Sequence, residues 1–332
     1  MPNTITSIGL PSWRSQAPAN TMILGEHSVV YGHPALACAV DQYISIDWQA
    51  REDNALHIYS ALGEHHTQLE VITAHPKLNF VISALQAFQK ELPHGFDMHI
   101  ESEFSSTIGL GSSAAVLAAM LSGLNTICKT NYSLIQLFEI GHKIILDIQG
   151  RGSATDLAAS LAGGVIFFQP KSAQHSVPQI KNLAISLPLV LIYCGYKTPT
   201  SEVLEKVAKE WQNKPSELEM LYRSMAKITR MGFEALQNNE LHRFYQACED
   251  YQQSMQMLGV NDKVLQTIID ALYGCESIAA AKISGSGLGD CVLGIGTLNQ
   301  CLNEAKNTLN RYQQMHINIS PTGANTVLLE RL

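Results

Sequence analysis

The chain has 332 residues, a formal net charge of -7, and 46% hydrophobic against 15% charged residues. This composition excludes a disordered or coiled-coil protein and indicates a well-packed globular chain of one large or two medium domains. Proteins that track nucleic-acid phosphates usually carry a basic face, so the acidic balance predicts no nucleic-acid partner. The longest apolar runs, such as residues 114–124, are too short to cross a bilayer, so no membrane partner is expected.

The seven cysteines are scattered along the chain and contain no Cys-x-x-Cys pair. An odd number without regular spacing predicts neither a disulfide framework nor a zinc site. This pattern is typical of a reducing compartment, and we therefore expect a cytoplasmic protein.

Strands and helices alternate in the first half of the chain. Hydrophobic periodicity predicts strands at residues 22–24, 35–48, 98–100, 164–168 and 187–193, and helices at residues 78–90, 112–128 and 133–148. Ser133 is expected to cap the last of these helices, and Gly150 and Gly152 to end it.

The second half is dominated by helices. Its patterns predict helices at residues 202–211, 217–236 and 242–258, and strands at residues 279–283, 291–295 and 327–329. We expect an α/β protein with a domain boundary near residue 190, which gives domains 1–190 and 191–332. A cleft between the halves is the expected ligand site. A homodimer formed by packing of the C-terminal helices is compatible with the sequence.

The most informative segment is a glycine-containing turn that runs into an apolar, alanine-rich helix, with the sequence Gly109-Leu110-Gly111-Ser112-Ser113. Two glycines let the backbone approach an anion, and the following helix directs unpaired N–H groups and its positive dipole end at the ligand. The turn therefore predicts a phosphate-binding loop without a Walker motif. The alternative is a plain helix N-terminus capped by Ser112.

Two further features point to the same chemistry. Asp156 opens an apolar segment after Gly152, where its carboxylate either caps a helix or accepts the proton of an attacking hydroxyl. A second glycine-rich loop, residues 284–289, lies between two predicted strands and contains Gly285. It is either a second phosphate-approaching loop or an ordinary hairpin loop.

The order of these motifs resembles the three signatures of the GHMP kinase superfamily over nearly the whole chain. The first signature corresponds to residues 17–35, whose string Gly-Glu-His-Ser-Val-Val-Tyr-Gly contains Glu26 and His27. Within the superfamily this string is most similar to that of the mevalonate kinases. Residues 149–160 and the Gly-Asp-Cys at 289–291 are instead similar to the phosphomevalonate kinases.

The resemblance implies a two-domain kinase that transfers the γ-phosphoryl group of ATP to an alcohol, either mevalonate or phosphomevalonate, with Mg²⁺. The phosphates are expected on Gly109, Leu110, Gly111, Ser112 and Ser113, supported by Gly285. By position, Ser113 is the magnesium-binding serine and Asp156 the carboxylate that faces the acceptor hydroxyl. Glu26 and His27 are expected to line the acceptor pocket.

Of the three departures from the family that affect the chemistry, two concern single side chains. Asn20 stands where mevalonate kinases have a lysine, and Ile145 stands where they place a magnesium-binding glutamate. A phosphorylated acceptor would need cationic groups, for which Lys143, Arg151 and Lys197 are the candidates. These departures leave three hypotheses open: a mevalonate kinase, a phosphomevalonate kinase, and a non-catalytic relative that binds a nucleotide or metabolite.

Overall fold

The computed structural model describes residues 10–105, 109–172 and 175–329. Within these residues the chain forms two β-sheets with helices packed against them, which confirms the predicted α/β class.

The first sheet has a central order β12-β1-β2-β5-β3-β4, and it is extended by β6 beside β2 and by β7 beside β6. Only the β3–β5 pair is parallel among the pairings described in this sheet. Its strands are β1 (Ser12–Leu24), β2 (Ala35–Ala50), β3 (Ala55–Ser60), β4 (Gly63–Gln68), β5 (Phe96–Ser102), β6 (Val165–Gln169), β7 (Gln179–Leu183) and β12 (Asn325–Leu329).

The second sheet is antiparallel, in the order β11-β8-β10-β9. Its strands are β8 (Leu189–Tyr193), β9 (Ile278–Ser284), β10 (Cys291–Gly296) and β11 (Gln313–Ile317).

Among the described residues, four α-helices precede β6, and α2 and α4 pack directly on β1 and β2. They are α1 (Asn79–Ala87), α2 (Ser112–Ile127), α3 (Leu134–Gln149) and α4 (Thr155–Ala162). In the described part of the chain after β8 there are five α-helices, of which α7 and α8 pack on β9. They are α5 (Thr200–Glu210), α6 (Pro215–Gln237), α7 (Leu241–Leu258), α8 (Lys263–Tyr273) and α9 (Asn303–Leu309).

The first sheet is buried on both faces where it meets the second half of the chain. In β6, Ile166 and Phe168 join the core beneath α1–α4, whereas Val165 and Phe167 join the core of the second half. Successive strand side chains point to opposite faces, so this fully apolar strand is the expected sequence for a sheet covered on both sides.

The predicted boundary near residue 190 falls inside β8, which belongs to the second sheet. The chain later returns to the first sheet, because β12 pairs with β1. The division into two domains, 1–190 and 191–332, stays a prediction.

The helix α2 does not begin as the alternative with Ser112 as its N-cap predicts. Gly111, with φ of 67°, is the N-cap of α2, and Ser112 is the first helical residue. Asp156 likewise lies in the first turn of α4, whose N-cap is Ala154. Ser133 caps α3 through a capping box with Gln136, as predicted.

Several elements were missed by the sequence analysis. The hairpin β3–β4 lies in a polar stretch with three histidines, and α8 follows a short connection after α7. A local signal for α8 was present, because the Asp262 side chain accepts hydrogen bonds from the N–H groups of Val264 and Leu265.

Cys275 and Cys301 form a disulfide, 26 residues apart in sequence, which corrects the expectation that no cysteines pair. The two residues face each other across an isolated antiparallel bridge between the loops that follow α8 and precede α9. Such a pairing depends on helix packing and has no spacing signal in the sequence.

Within the described parts of the chain, none of the helices combines the length and the hydropathy that crossing a bilayer requires.

Candidate active site

A cavity of about 570 Å³ lies where the two sheets meet. It brings together most of the residues predicted from the sequence, namely Glu26, His27, Gly109, Gly111, Ser113, Asp156 and Gly285. Leu110 is 3% exposed and packs in the core, and Ser112 lines a neighbouring cavity instead.

The phosphate-binding loop, residues 109–113, is held by β1. The backbone N–H of Asn20 donates to the Leu110 carbonyl oxygen at 3.1 Å. A side chain at Gly111 would have its Cβ 2.2 Å from the Asn20 amide nitrogen, so only glycine fits there. The first N–H groups of α2 have no acceptor within the helix, so they are available to an anion at this end.

Asn20 itself connects the loop to α4. Its amide donates to Ser160 Oγ at 3.0 Å, and this hydroxyl donates to the Pro18 carbonyl oxygen at 2.7 Å. Asn20 is 4% exposed. The residue that replaces the family's lysine therefore has a structural role in fixing the loop.

Glu26 and His27 follow β1 directly and are both buried. Glu26 Oε1 pairs with Lys282 Nζ at 2.5 Å, a pair in which the lysine side chain is completely buried. Lys282 lies on β9, so this ion pair joins the segment after β1 to the second sheet. The second carboxylate oxygen, Oε2, has no protein partner among the described residues.

His27 is neutral in this environment. Burial lowers the pKa of its imidazole to about 4, against the favourable hydrogen bond to Ser286. The carbonyl oxygen of Ser286 accepts from Nε2 at 2.8 Å, so Nε2 carries the proton. Nδ1 is therefore an acceptor, and it is buried without a partner in the described part of the chain.

Asp156 projects from the first turn of α4. Its side chain lines the cavity and keeps part of its surface exposed, while the neighbouring protein partly desolvates the carboxyl. This desolvation raises the pKa of the carboxyl above its ordinary value, and the positive charge of Lys197 opposes the increase. A carboxylate with a raised pKa at the base of a cavity is suited to proton transfer.

Lys197 and Arg151 are the cationic side chains that line the cavity among the described residues. Lys197 Nζ lies 3.0 Å from Asp290 Oδ2. Arg151 donates to the Ser201 carbonyl oxygen at 2.7 Å and pairs with Glu205. Lys143, the third candidate, is exposed on α3 and does not line this cavity. The sequence indicated the three cationic residues, but it did not show that two of them, Arg151 and Lys197, line one cavity.

Ile145 lines the cavity, so an apolar side chain occupies the position at which the family has its magnesium-binding glutamate. Within the described residues no group of three or more His, Cys, Asp or Glu side chains is arranged to hold a metal. The side-chain oxygens that line the cavity include the Ser113 hydroxyl and the carboxylates of Glu26, Asp156 and Asp290. These oxygen donors suit Mg²⁺, which prefers oxygen ligands and keeps several waters. They are too few to suit an ion whose ligands all come from the protein.

A second cavity of about 730 Å³ adjoins the first and shares Phe80 and Ser113 with it. Its walls include Ile44, Leu62, Ile100 and Phe104. An apolar cavity beside an anion-binding helix terminus is suited to a flat, largely apolar group that carries phosphates.

Comparison with known proteins gives a consistent result. Models of the GHMP kinases N-terminal domain and of the GHMP kinases C-terminal domain match residues 79–164 and 233–312, which together make up half of the chain. A mevalonate kinase from Thermococcus sibiricus is 27% identical over 305 residues, covering 86% of this chain and 90% of the relative.

Solved structures share the fold. A Lin0012 protein from Listeria innocua superposes with a TM-score of 0.83 at 19% identity, covering 96% of this chain and all of the other. The L. major mevalonate kinase in complex with R-mevalonate has a TM-score of 0.73 at 20% identity, covering 93% and 96%. The chain belongs to the GHMP kinase family and is an ATP-dependent phosphotransferase that acts on an alcohol.

Proposed function

We propose that the alcohol is mevalonate and that the protein is a mevalonate kinase. The observation that carries this proposal is the meeting of Glu26, His27 and Asp156 with the phosphate-binding loop in one cavity. Two buried acceptor atoms without protein partners, Glu26 Oε2 and His27 Nδ1, suit a ligand with hydroxyl donors. The curated relative with 27% identity is a mevalonate kinase, which supports the same acceptor.

In this mechanism the nucleoside of ATP occupies the second cavity and its phosphates lie over residues 109–113. The acceptor oxygen attacks the γ-phosphorus, the bond from that phosphorus to the β,γ-bridging oxygen breaks, and the hydroxyl proton passes to Asp156. The chain contributes mainly position and electrostatic stabilisation, because phosphoryl transfer needs little covalent chemistry from the protein.

We infer that Mg²⁺ accompanies the nucleotide, with the Ser113 hydroxyl as its protein ligand and phosphates and water completing its shell. Bound there, the ion would neutralise charge on the transferred group. The chain's own contribution at this point is the first turn of α2, which holds Ser113 at the boundary of both cavities.

Phosphomevalonate is the second candidate acceptor, and one observation favours it. Arg151 and Lys197 line the same cavity as Asp156, which supplies two cationic side chains for an acceptor that already carries a phosphate.

A coupled ADP-release assay with Mg²⁺ and ATP separates the candidates when mevalonate, phosphomevalonate, galactose and homoserine are run in parallel. Turnover with mevalonate alone supports the proposal. Turnover with phosphomevalonate alone transfers it to the second candidate, and no turnover with any of the four acceptors contradicts both.

The cytoplasmic location and the homodimer remain predictions. Met220 on α6 and Met257 on α7 are 69% and 66% exposed. We propose that a homodimer forms through these two helices.

A further inference from the structure

The loop between β8 and α5 holds one lysine at the edge of the phosphate-binding site. Two backbone hydrogen bonds attach this loop to Asp290, the residue that follows the second glycine-rich loop. The N–H of Asp290 donates to the Tyr196 carbonyl oxygen at 2.8 Å, and the N–H of Cys194 donates to the Asp290 carbonyl oxygen at 3.0 Å. On the other side of Lys197, the Thr198 hydroxyl donates to the Leu288 carbonyl oxygen at 2.6 Å. The backbone of Lys197 is thus fixed on both sides.

The Lys197 side chain, by contrast, is 43% exposed, and its ammonium group pairs with Asp290. Asp290 packs on the phosphate-binding loop, because a Cβ at Gly109 would stand 2.1 Å from Asp290 Oδ1. That oxygen is buried and has no partner among the described residues. The ion pair therefore places the Lys197 ammonium group beside the loop, with Asp290 between them.

The charge balance of the cavity makes this lysine important. Glu26, Asp156 and Asp290 all line the cavity, and ATP brings further negative charge. His27 is neutral, Lys282 is buried against Glu26, and Arg151 is engaged by Ser201 and Glu205. Of the described cations, Lys197 combines a fixed backbone, a partly exposed side chain and a charge that acts on Asp156.

We propose that Lys197 is a catalytic residue that leaves Asp290 when ATP binds and contacts the γ-phosphoryl group during its transfer. Asp290 holds the ammonium group beside the loop until the nucleotide arrives. In this step Lys197 contributes only its positive charge, and the hydroxyl proton still passes to Asp156, so no further proton transfer is added. A positioned cation of this kind is most effective where negative charge develops in the transition state.

The test compares the binding of ADP with that of the non-hydrolysable β,γ-imido analogue of ATP, measured by calorimetry. Lys197→Ala is expected to weaken the binding of the analogue about tenfold and to change the Kd of ADP by less than about twofold, because only the analogue has a γ-phosphate. Lys197→Arg is expected to recover most of the analogue affinity. Arg151→Ala is the matched control from the same cavity, and it is expected to leave the ratio of the two Kd values unchanged.

Asp290→Asn distinguishes a catalytic lysine from a structural ion pair. This substitution removes the competing carboxylate and is expected to maintain or increase the affinity for the analogue. Equal losses of analogue affinity in Lys197→Ala and Asp290→Asn would overturn the proposal. The proposal would also be wrong if Lys197→Ala weakened the binding of ADP and of the analogue equally, or if it changed neither Kd.

The inference rests on one part of the proposed function, the transfer of a phosphoryl group from ATP. It does not depend on which alcohol is the acceptor. Because the titrations contain no acceptor, they remain decisive even if mevalonate is not the alcohol. Turnover supplies a second readout: Lys197→Ala is expected to lower kcat about 100-fold, the cost of removing one positioned charge-stabilising group. A loss confined to the KM of the acceptor would overturn the proposal by assigning Lys197 to acceptor binding.

Discussion

At the scale of single residues, the candidate site pairs a carboxylate that is poised for proton transfer with a histidine that is held neutral. Desolvation raises the pKa of Asp156, and burial lowers the pKa of His27 to about 4. In the proposed mechanism the two groups therefore differ in role: Asp156 accepts a proton, and His27 Nδ1 accepts a hydrogen bond. The sequence predicted both residues, but only the tertiary environment defines their protonation.

Asp156→Asn is expected to lower kcat about 1,000-fold while ATP binding is retained, since general-base catalysis contributes about 10²–10⁴. In the unmodified protein kcat should fall as the pH falls through the raised pKa of Asp156, because protonation removes the base. Lys197→Ala removes a charge that lowers this pKa, so the acid limb of its residual activity should move to higher pH. A pH–rate profile checks both points, and an Asn variant with full kcat would contradict the role of Asp156.

At the scale of elements, the start of α2 depends on one glycine. Gly111 adopts a left-handed conformation, and the Asn20 amide occupies the space that a Cβ at this position would need. The turn glycines and the capping box of Ser133 could be predicted because each signal lies within a few neighbouring residues. The alternative in which Ser112 caps the helix is wrong, because the serine pattern does not reveal which residue has the left-handed φ.

Gly111→Ala is expected to abolish most kinase activity and to weaken nucleotide binding at least tenfold. The added Cβ would meet the Asn20 side chain within 2.5 Å, so the phosphate-binding loop must shift. Gly150→Ala is the matched control, because Gly150 also has a positive φ of 73° at a helix boundary but has open space around it. Both variants carry about 1–2 kcal/mol of left-handed strain.

Parallel measurements of activity and of thermal unfolding separate strain from loop displacement in these two variants. If Gly150→Ala lost nucleotide binding to the same extent as Gly111→Ala, backbone strain alone would explain the result and the steric argument would be wrong.

At the scale of the whole molecule, the site is also the place where the two sheets are joined. The Glu26–Lys282 ion pair connects the segment after β1 to β9, and the Thr21 and Ser284 hydroxyls are hydrogen-bonded at 2.8 Å. The Tyr251 hydroxyl donates to the Glu26 carbonyl oxygen at 2.7 Å. In the proposed function, stability and acceptor binding therefore depend on the same buried network.

Lys282→Met is expected to lower the free energy of unfolding by about 3–5 kcal/mol, because it leaves the buried Glu26 carboxylate without its counter-ion. Adding Glu26→Gln should restore much of this loss by removing the uncompensated charge. Lys206→Met is the control, because Lys206 and Glu210 form an exposed pair on α5 that is worth less than about 0.5 kcal/mol. Urea unfolding measures all three variants, and equal effects of Lys282→Met and Lys206→Met would contradict the expectation.

By itself the sequence determined the α/β class, the glycine-containing turn at residues 109–113 that leads into α2, and the kinase family. These features are encoded by neighbouring residues, through glycine conformations, helix caps, hydrophobic periodicity and motif order. Tertiary structure decided that Glu26 pairs with Lys282, 256 residues away, and that Lys197 lies against Asp290. It also brought β12 back to β1. Such contacts arise from strand pairing and from the packing of the two sheets, and they leave no local pattern in the chain.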